Sequence, residues 1–330
     1  MKAIIPVAGA GTKLRPLTYT QPKPLIPVAG KPIIAYILDQ LVEAGVREFV
    51  FILGYLGEKI QAYIDEHYGQ LVRHYVVQSE REGLGQAIFL CHELLKGEEE
   101  VLIQLGDTIL DIDMDVFLNS RRNTLAVRKV DDPRNFGVVE LNERGLVSAL
   151  VEKPQFPRSN MAIVGLYLIR EWPKLIACLD TNLRTGRKTK GEFHLTDGLM
   201  CMLENNSRFE VFEVRNWFDC GRKEILLATN ATMLSRQTPG PVPEYSDGNI
   251  FIPPVSIGKD CTIQHSIIGP NVSVGDNSHV VNSILKNAII GNFTSLEDVV
   301  LQHSIIGNDA VIRGRFQSFN IGDNTEIDMV

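Results

Sequence analysis

The first 38 positions of this 330-residue chain contain no Asp or Glu, although the whole chain holds 40 acidic against 33 basic residues and a formal charge of −7. Up to Leu38 stand five cations, Lys2, Lys13, Arg15, Lys23 and Lys31; the other 292 positions carry 28 basic and 40 acidic residues, a balance of −12. A positive opening on an acidic body lacks the broad basic face that nucleic acids call for, and points to a small anionic ligand. No run of about 18 apolar residues and no signal-peptide pattern is present, so nothing points to a membrane or to export. The five cysteines, Cys91, Cys178, Cys201, Cys220 and Cys261, are odd in number, scattered, and form no Cys-x-x-Cys. That argues against a structural zinc site and reads as reduced thiols in a cytoplasm.

What is present changes character along the chain. Residues 2–7, 48–53, 72–78 and 101–105 read as strands. Helical stripes fall at 32–44, which Gly45 ends, and at 56–66 and 85–95. Strands separated by helices predict βαβ units and an α/β domain with a Rossmann-like, mostly parallel sheet. Ligands of such sheets sit beyond the carboxyl ends of the strands, where the opening loop, residues 78–85 and Gly106-Asp107 all fall.

From about Asn249 the helical stripes vanish. Glycines at 258, 269, 275, 291, 307 and 322 are 11, 6, 16, 16 and 15 apart, and "HSIIG" occurs at His265 and again at His303. This predicts hexapeptide repeats wound into a short, left-handed parallel β-helix of roughly four coils at ~18 residues each. The Pro- and Gly-rich stretch 237–248 reads as a linker, dividing the chain into 1–236, 237–248 and 249–330.

The opening loop, "VAGAGTKLRPLTYTQPKP", fits none of the commonest glycine motifs. A dinucleotide fingerprint needs a third glycine where Leu14 stands and an acid about 20 residues on, and none appears before Asp39. A P-loop needs Gly-Lys-Ser/Thr, which is absent. A purely structural βα turn explains the glycines but not Lys13, Arg15 and Lys23. Phosphate binding of another kind explains both, since glycines let backbone N–H groups approach a triphosphate whose oxygens the cations neutralise.

The segment "AGAGTKLRPLTYTQPKPLIPVAGKPII" resembles the signature of the sugar-1-phosphate nucleotidyltransferases, G-x-G-T-R-x-x-P-L-T followed by P-K. By motif the chain is similar to glucose-1-phosphate thymidylyltransferases, in the long form with a hexapeptide tail, and to bacterial UDP-glucose pyrophosphorylases. The resemblance implies that Ala8, Gly9, Gly11 and Thr12 cradle the nucleotide, and that Gln78 and Gly83 read a uracil or thymine base. It implies that Asp107 and Asp219, the latter in "WFDCG", hold Mg²⁺. It further implies that Gly137, Glu152, Gly165 and Glu192 contact the sugar, and that Lys153 and Lys23 hold its phosphate. Lys13 stands where the family has Arg, which leaves open whether Lys13 alone grips the pyrophosphate or Arg15 shares the task. Thr196 and Asp197 read as a helix start, His194 as structural, and Cys220 as a space-filler.

The implied reaction is in-line attack of a sugar-1-phosphate, such as glucose-1-phosphate, on the α-phosphorus of dTTP or UTP. It yields an NDP-sugar and pyrophosphate. The nucleophile is already anionic, so positioning and charge neutralisation would replace a general base, and acids in the loop would only repel the ligand. For the tail, assembly into a homo-oligomer is the favoured reading. A second, acetyltransferase site using His265, His279 or His303 is the alternative there; for the chain as a whole the alternative is a non-catalytic sugar-nucleotide sensor that has lost chemistry. The expected partners are the two substrates, with no nucleic acid and no membrane.

Overall fold

The computed structural model describes residues 1–237 and 248–314. The chain divides into two compact units, Met1–Thr229 and Asn230–Val330. The linker expected at 237–248 lies, except for its two ends, outside the described residues, as does the repeat expected around Gly322.

The first unit opens with β1 (Lys2–Val7), a short hairpin of β2 (Pro27–Val28) and β3 (Lys31–Pro32), α1 (Ile33–Glu43), β4 (Glu48–Leu53) and α2 (Gly57–His67). Next come β5 (Val72–Val77), α3 (Leu84–Phe89), β6 (Val101–Gln104), β7 (Thr108–Asp111), α4 (Met114–Leu118) and β8 (Asn123–Lys129). Then follow β9 (Gly137–Leu141), β10 (Val147–Glu152), β11 (Met161–Ile169), α5 (Trp172–Thr185) and α6 (Leu195–Glu204). The series ends with β12 (Phe209–Glu213), β13 (Asn216–Asp219) and α7 (Lys223–Arg236), inside which the division between the units falls.

A nine-stranded sheet runs β10-β9-β11-β6-β1-β4-β5, with β8 paired to β11 and β12 to β8. Its βαβ half, β6-β1-β4-β5, is wholly parallel. Ile4, Ile5 and the run Phe49–Ile52 are completely buried, the continuous apolar pattern of strands covered on both faces. The other half differs from the parallel expectation, because β11 is antiparallel to β6, β8 and β9, and β10 is antiparallel to β9. The helix expected at 85–95 also stops early, at Phe89. The amides of Cys91 and His92 bond to carbonyls three residues back, and the His92 ring takes the Phe89 carbonyl at 3.0 Å, so the chain continues as turns.

The thiol reading needs one correction: Cys178 on α5 and Cys201 on α6 form a disulfide, while Cys91, Cys220 and Cys261 are free. Nothing in their spacing announces the pair; the packing of α5 on α6 does. Among the described residues no helix is long and apolar enough to cross a membrane.

The second unit is built of short parallel strands in two sheets. Strands pair with others 16 or 17 residues along the chain: Ile250↔Ile267, Val255↔Val272 and Thr262↔His279 are 17 apart, and Val272↔Ala288, His279↔Ser295 and Ser295↔Val311 are 16 apart. The step is shorter than the expected ~18 for a physical reason. Left-handed residues end each short side at 260, 265, 271, 277, 282, 287, 293, 298, 303 and 309, so sides are five or six residues long rather than six throughout. Most of these positions are Asn, Asp or His, which tolerate that backbone. Phe251, Ile268, Val272, Val274, Val280, Leu285, Ile290 and Leu296 stack inside as the core.

Candidate active site

Because β1, β4, β5 and β6 run the same way, their carboxyl ends gather at one edge of the sheet, and the segments leaving them are tied together there. The Gly106 amide donates to the Pro6 carbonyl (3.2 Å), Leu105 to Gly165 (2.8 Å), Gln78 to Leu53 (2.8 Å) and Tyr55 to Ala8 (3.1 Å). Gly106 is forced by this closeness, since a Cβ there would lie 2.2 Å from a Val7 methyl.

A cavity of about 480 Å³ opens at this edge, walled by Gly9, Gly11, Thr12, Lys13 and Lys23 on one side and by Asp107, Lys153, Gly165, Trp217 and Asp219 on others. Asp107 and Asp219 are remote in sequence, but β7 pairs antiparallel with β13 in a register that sets Asp219 opposite Thr108. Both carboxylates thereby face the same ammonium: Lys23 Nζ is 2.6 Å from Asp107 Oδ2 and 3.7 Å from Asp219 Oδ1. Thr108 Oγ1 donates to the other Asp107 oxygen at 3.2 Å. Burial pulls the Lys23 ammonium down, but the Asp107 and Asp219 charges outweigh it and hold Lys23 above its ordinary value. For Asp107, desolvation pushes up and the Lys23 charge pulls down more strongly, leaving it below its ordinary value. Asp219, farther from the ammonium, is held above its ordinary value, first by burial and then by the Asp107 charge. Oxygens of both carboxylates thus converge on one positive group. Among the described residues no group of three or more His, Cys, Asp or Glu could hold a metal. A divalent ion here would therefore draw its remaining ligands from phosphate and water, as Mg²⁺ prefers.

A second cavity of about 270 Å³ shares Pro6, Gly9, Leu105 and Asp107 with the first, and adds Ala8, Gln78, Arg81, Gly83 and Glu192. Gln78 is buried, and its Nε2 donates to the Gly83 carbonyl (3.2 Å) and to Gln86 Oε1 (2.7 Å). Gly83 has φ +120°, and a Cβ would meet the Phe193 carbonyl oxygen at 2.5 Å. The loop is laced to the strand-to-helix segment before α6: Gly85 N–H donates to Phe193 O and Phe193 N–H to Glu82 O, both at 2.7 Å.

On the remaining side, Glu152 ends β10 directly opposite Gly137 at the start of β9. A Cβ on Gly137 would lie 3.2 Å from Glu152 Oε2, so the glycine makes room for the carboxylate. Thr196 Oγ1 donates to that same oxygen at 2.7 Å, while Lys153 Nζ stands 3.4 Å from Oε1. Gly165, with φ +89°, is needed on packing grounds, since a Cβ would meet the Leu105 side chain at 2.7 Å.

Of the residues singled out in sequence, Ala8, Gly9, Gly11, Thr12, Lys13, Lys23, Gln78, Gly83, Asp107, Lys153, Gly165, Glu192 and Asp219 line one or both cavities. Glu152 and Gly137 abut through the contacts above. Arg15 lines neither, and its guanidinium lies 5.0 Å over the Tyr19 ring. Thr196 and Asp197 do lie in the first turn of α6. Cys220 is fully buried, and burial pushes its thiol up to about 12, which leaves it inert. Sequence reasoning did not reach Thr108, Gln86, Arg81 or the Thr196 contact to Glu152. Thr108 adjoins Asp107, and Arg81 and Gln86 lie in or just after the loop that begins at Gln78, where no motif marks them; the Thr196 contact joins segments 44 residues apart.

The nucleotidyl transferase family profile matches residues 2–236. The chain is 31% identical to a glucose-1-phosphate thymidylyltransferase of Streptomyces griseus over 328 residues, covering 95% of this chain and 88% of that protein. It is 28% identical to one of Streptomyces antibioticus, covering 100% of this chain and 99% of the other. Its fold is also similar to a crystal structure of UDP-glucose pyrophosphorylase complexed with UDP-glucose, with a TM-score of 0.62, 24% identity, and coverage of 72% of this chain and 99% of that one.

Proposed function

The chain belongs to the nucleotidyl transferase family, and on that premise we propose how its own residues join a nucleoside triphosphate to a sugar-1-phosphate, releasing pyrophosphate. The finer reading is a pyrimidine triphosphate, dTTP or UTP, with glucose-1-phosphate. The named relatives support it. So does Gln78: with Nε2 engaged by Gly83 and Gln86, Oε1 is the end that can accept the imide N–H of uracil or thymine.

The observation that carries the proposal is the meeting of Asp107, Asp219 and Lys23 beside the glycine-rich loop, in a cavity contiguous with the one lined by Gln78. Ala8, Gly9, Gly11 and Thr12 would let backbone groups approach the phosphates, and Lys13 would neutralise the departing pyrophosphate. Lys153 and Lys23 would bind the sugar phosphate, and Glu152 and Glu192 would accept from sugar hydroxyls beside Gly137 and Gly165. The attacking phosphate is already ionised, so the protein's task is to hold two mutually repelling anions in line and offset their charge. Asp107 and Asp219 would hold Mg²⁺, which supplies charge neutralisation at the reacting phosphates when bound.

For the second unit we infer a left-handed parallel β-helix of hexapeptide-like repeats that serves assembly into a homo-oligomer. The three columns of left-handed turns support the first part. An aliphatic column across successive strands, with Ile250, Ile284 and Val300 exposed and half-buried Ile267 between the first two, supports the second. His265, His279 and His303 are exposed, and His265 and His303 occupy left-handed turn positions whose column-mates are Asn and Asp, which favours a structural reading over an acetyltransferase base. A cytoplasmic setting suits the triphosphate substrate. The test is pyrophosphate release from each of four nucleoside triphosphates against a panel of sugar-1-phosphates. Turnover is expected with dTTP or UTP and glucose-1-phosphate, and preference for a purine triphosphate would overturn the base assignment.

A further inference from the structure

Between the base-side loop and Glu152 lies a residue that the proposed reaction leaves unused. His194 is buried (7% exposed), and its imidazole stands between two carboxylates. Nδ1 is 3.4 Å from Glu152 Oε1, and Nε2 is 4.0 Å from Glu192 Oε2. Nε2 is fully buried and makes no hydrogen bond among the described residues. An apolar filler would fit such a spot without the desolvation cost that an unpaired ring nitrogen carries.

The Glu152 side chain is only 10% exposed, so its charge needs fixed partners. Thr196 satisfies Oε2. Around Oε1 stand two groups at the same distance, Lys153 Nζ and His194 Nδ1. Lys153, 39% exposed, lines the larger cavity, and in the reaction above its charge goes to the sugar phosphate. That leaves the imidazole as the permanent neighbour of Oε1. It is also well anchored: the Gly85 and Phe193 amides lace this segment to the base-side loop, and a Cβ on Gly85 would come within 2.9 Å of the His194 carbonyl oxygen.

We propose that His194 is a positioning residue for sugar recognition: its imidazole, clamped by the base-side loop, aims the Glu152 carboxylate at the sugar hydroxyls once the phosphate has claimed Lys153. The proposal rests on the sugar-1-phosphate reading of the site and adds to it a residue that touches neither substrate. His194 acts on ground-state binding of the sugar, so its loss shows in KM for that substrate and not in KM for the triphosphate.

The test is steady-state pyrophosphate release by the full chain and its His194→Leu and His194→Asn variants, varying each substrate in turn. Asn keeps an N–H near the Nδ1 position. His194→Leu is expected to raise KM for glucose-1-phosphate about tenfold or more, with KM for the triphosphate and kcat moved by less than about threefold. His194→Asn is expected to stay within about threefold of the wild type on all three. If His194→Leu fails to fold, as judged by circular dichroism, His194→Gln takes its place, because its amide reaches the Nε2 position and misses Nδ1. An unchanged sugar KM in the leucine or glutamine variant overturns the proposal, as does a rise in both KM values together, which is the mark of a merely loosened loop. Either result, with a turning-over wild type, leaves the functional reading intact. A wild type that releases no pyrophosphate from any substrate pair overturns that reading and this proposal together.

Discussion

Among the described residues Lys23 is the ammonium that both Asp107 and Asp219 face, and the Asp107 carboxylate, the nearer of the two, carries the sharpest expected loss. Asp107→Asn keeps the shape and removes the charge. We expect kcat to fall by about 100-fold or more, while the dissociation constant of glucose-1-phosphate changes by less than about threefold. Near-normal turnover would reject its role. Lys13 is exposed at the cavity wall, where a guanidinium can be accommodated. Lys13→Arg is therefore expected to retain turnover within about threefold or to exceed it, since a planar fork grips phosphate at least as well as a point charge. Complete loss would show that the loop holds phosphate in another way. These residues were legible because each lies in a short motif. Thr108 and Gln86 were not, although they bond to nearby Asp107 and Gln78, because a lone polar residue beside a motif does not show which way its side chain turns; the Thr196–Glu152 contact joins segments 44 residues apart, and no local pattern records the meeting.

At the scale of elements, continuous apolar runs such as β1 and β4 gave their own boundaries, because burial on both faces leaves no alternation to misread. The antiparallel strands were not legible: β8 to β11 follow one another without the helix between strands that makes a βαβ unit readable. In the second unit the glycine spacings of 11, 16 and 15 signalled the repeat, but the coil length follows from the left-handed turns. One turn position is ill suited. Phe293 has φ +55° and is 59% exposed, while its column-mates are Asp260, Asn277 and Asp309. Phe293→Asn should stabilise the unit by about 1 kcal/mol, read as a higher melting temperature of the full chain. A lower one would mean that the ring has a packing role.

The whole molecule pairs a unit that carries every proposed reacting group with one whose exposed column of Ile250, Ile284 and Val300 invites a second copy. Sedimentation velocity is expected to give a particle heavier than the 36.8 kDa chain. Val300→Lys, which places a charge on the column, should shift it towards the monomer without altering kcat, and a wild-type monomer would contradict the assembly reading. The central claim is that a cationic loop and a divalent ion on two distant aspartates bring two phosphoryl groups together. Its most direct test is pyrophosphate release from dTTP or UTP with glucose-1-phosphate, before and after EDTA and after readdition of Mg²⁺. The account predicts release that EDTA abolishes and Mg²⁺ restores; release that is indifferent to EDTA, or none with any triphosphate, would contradict it.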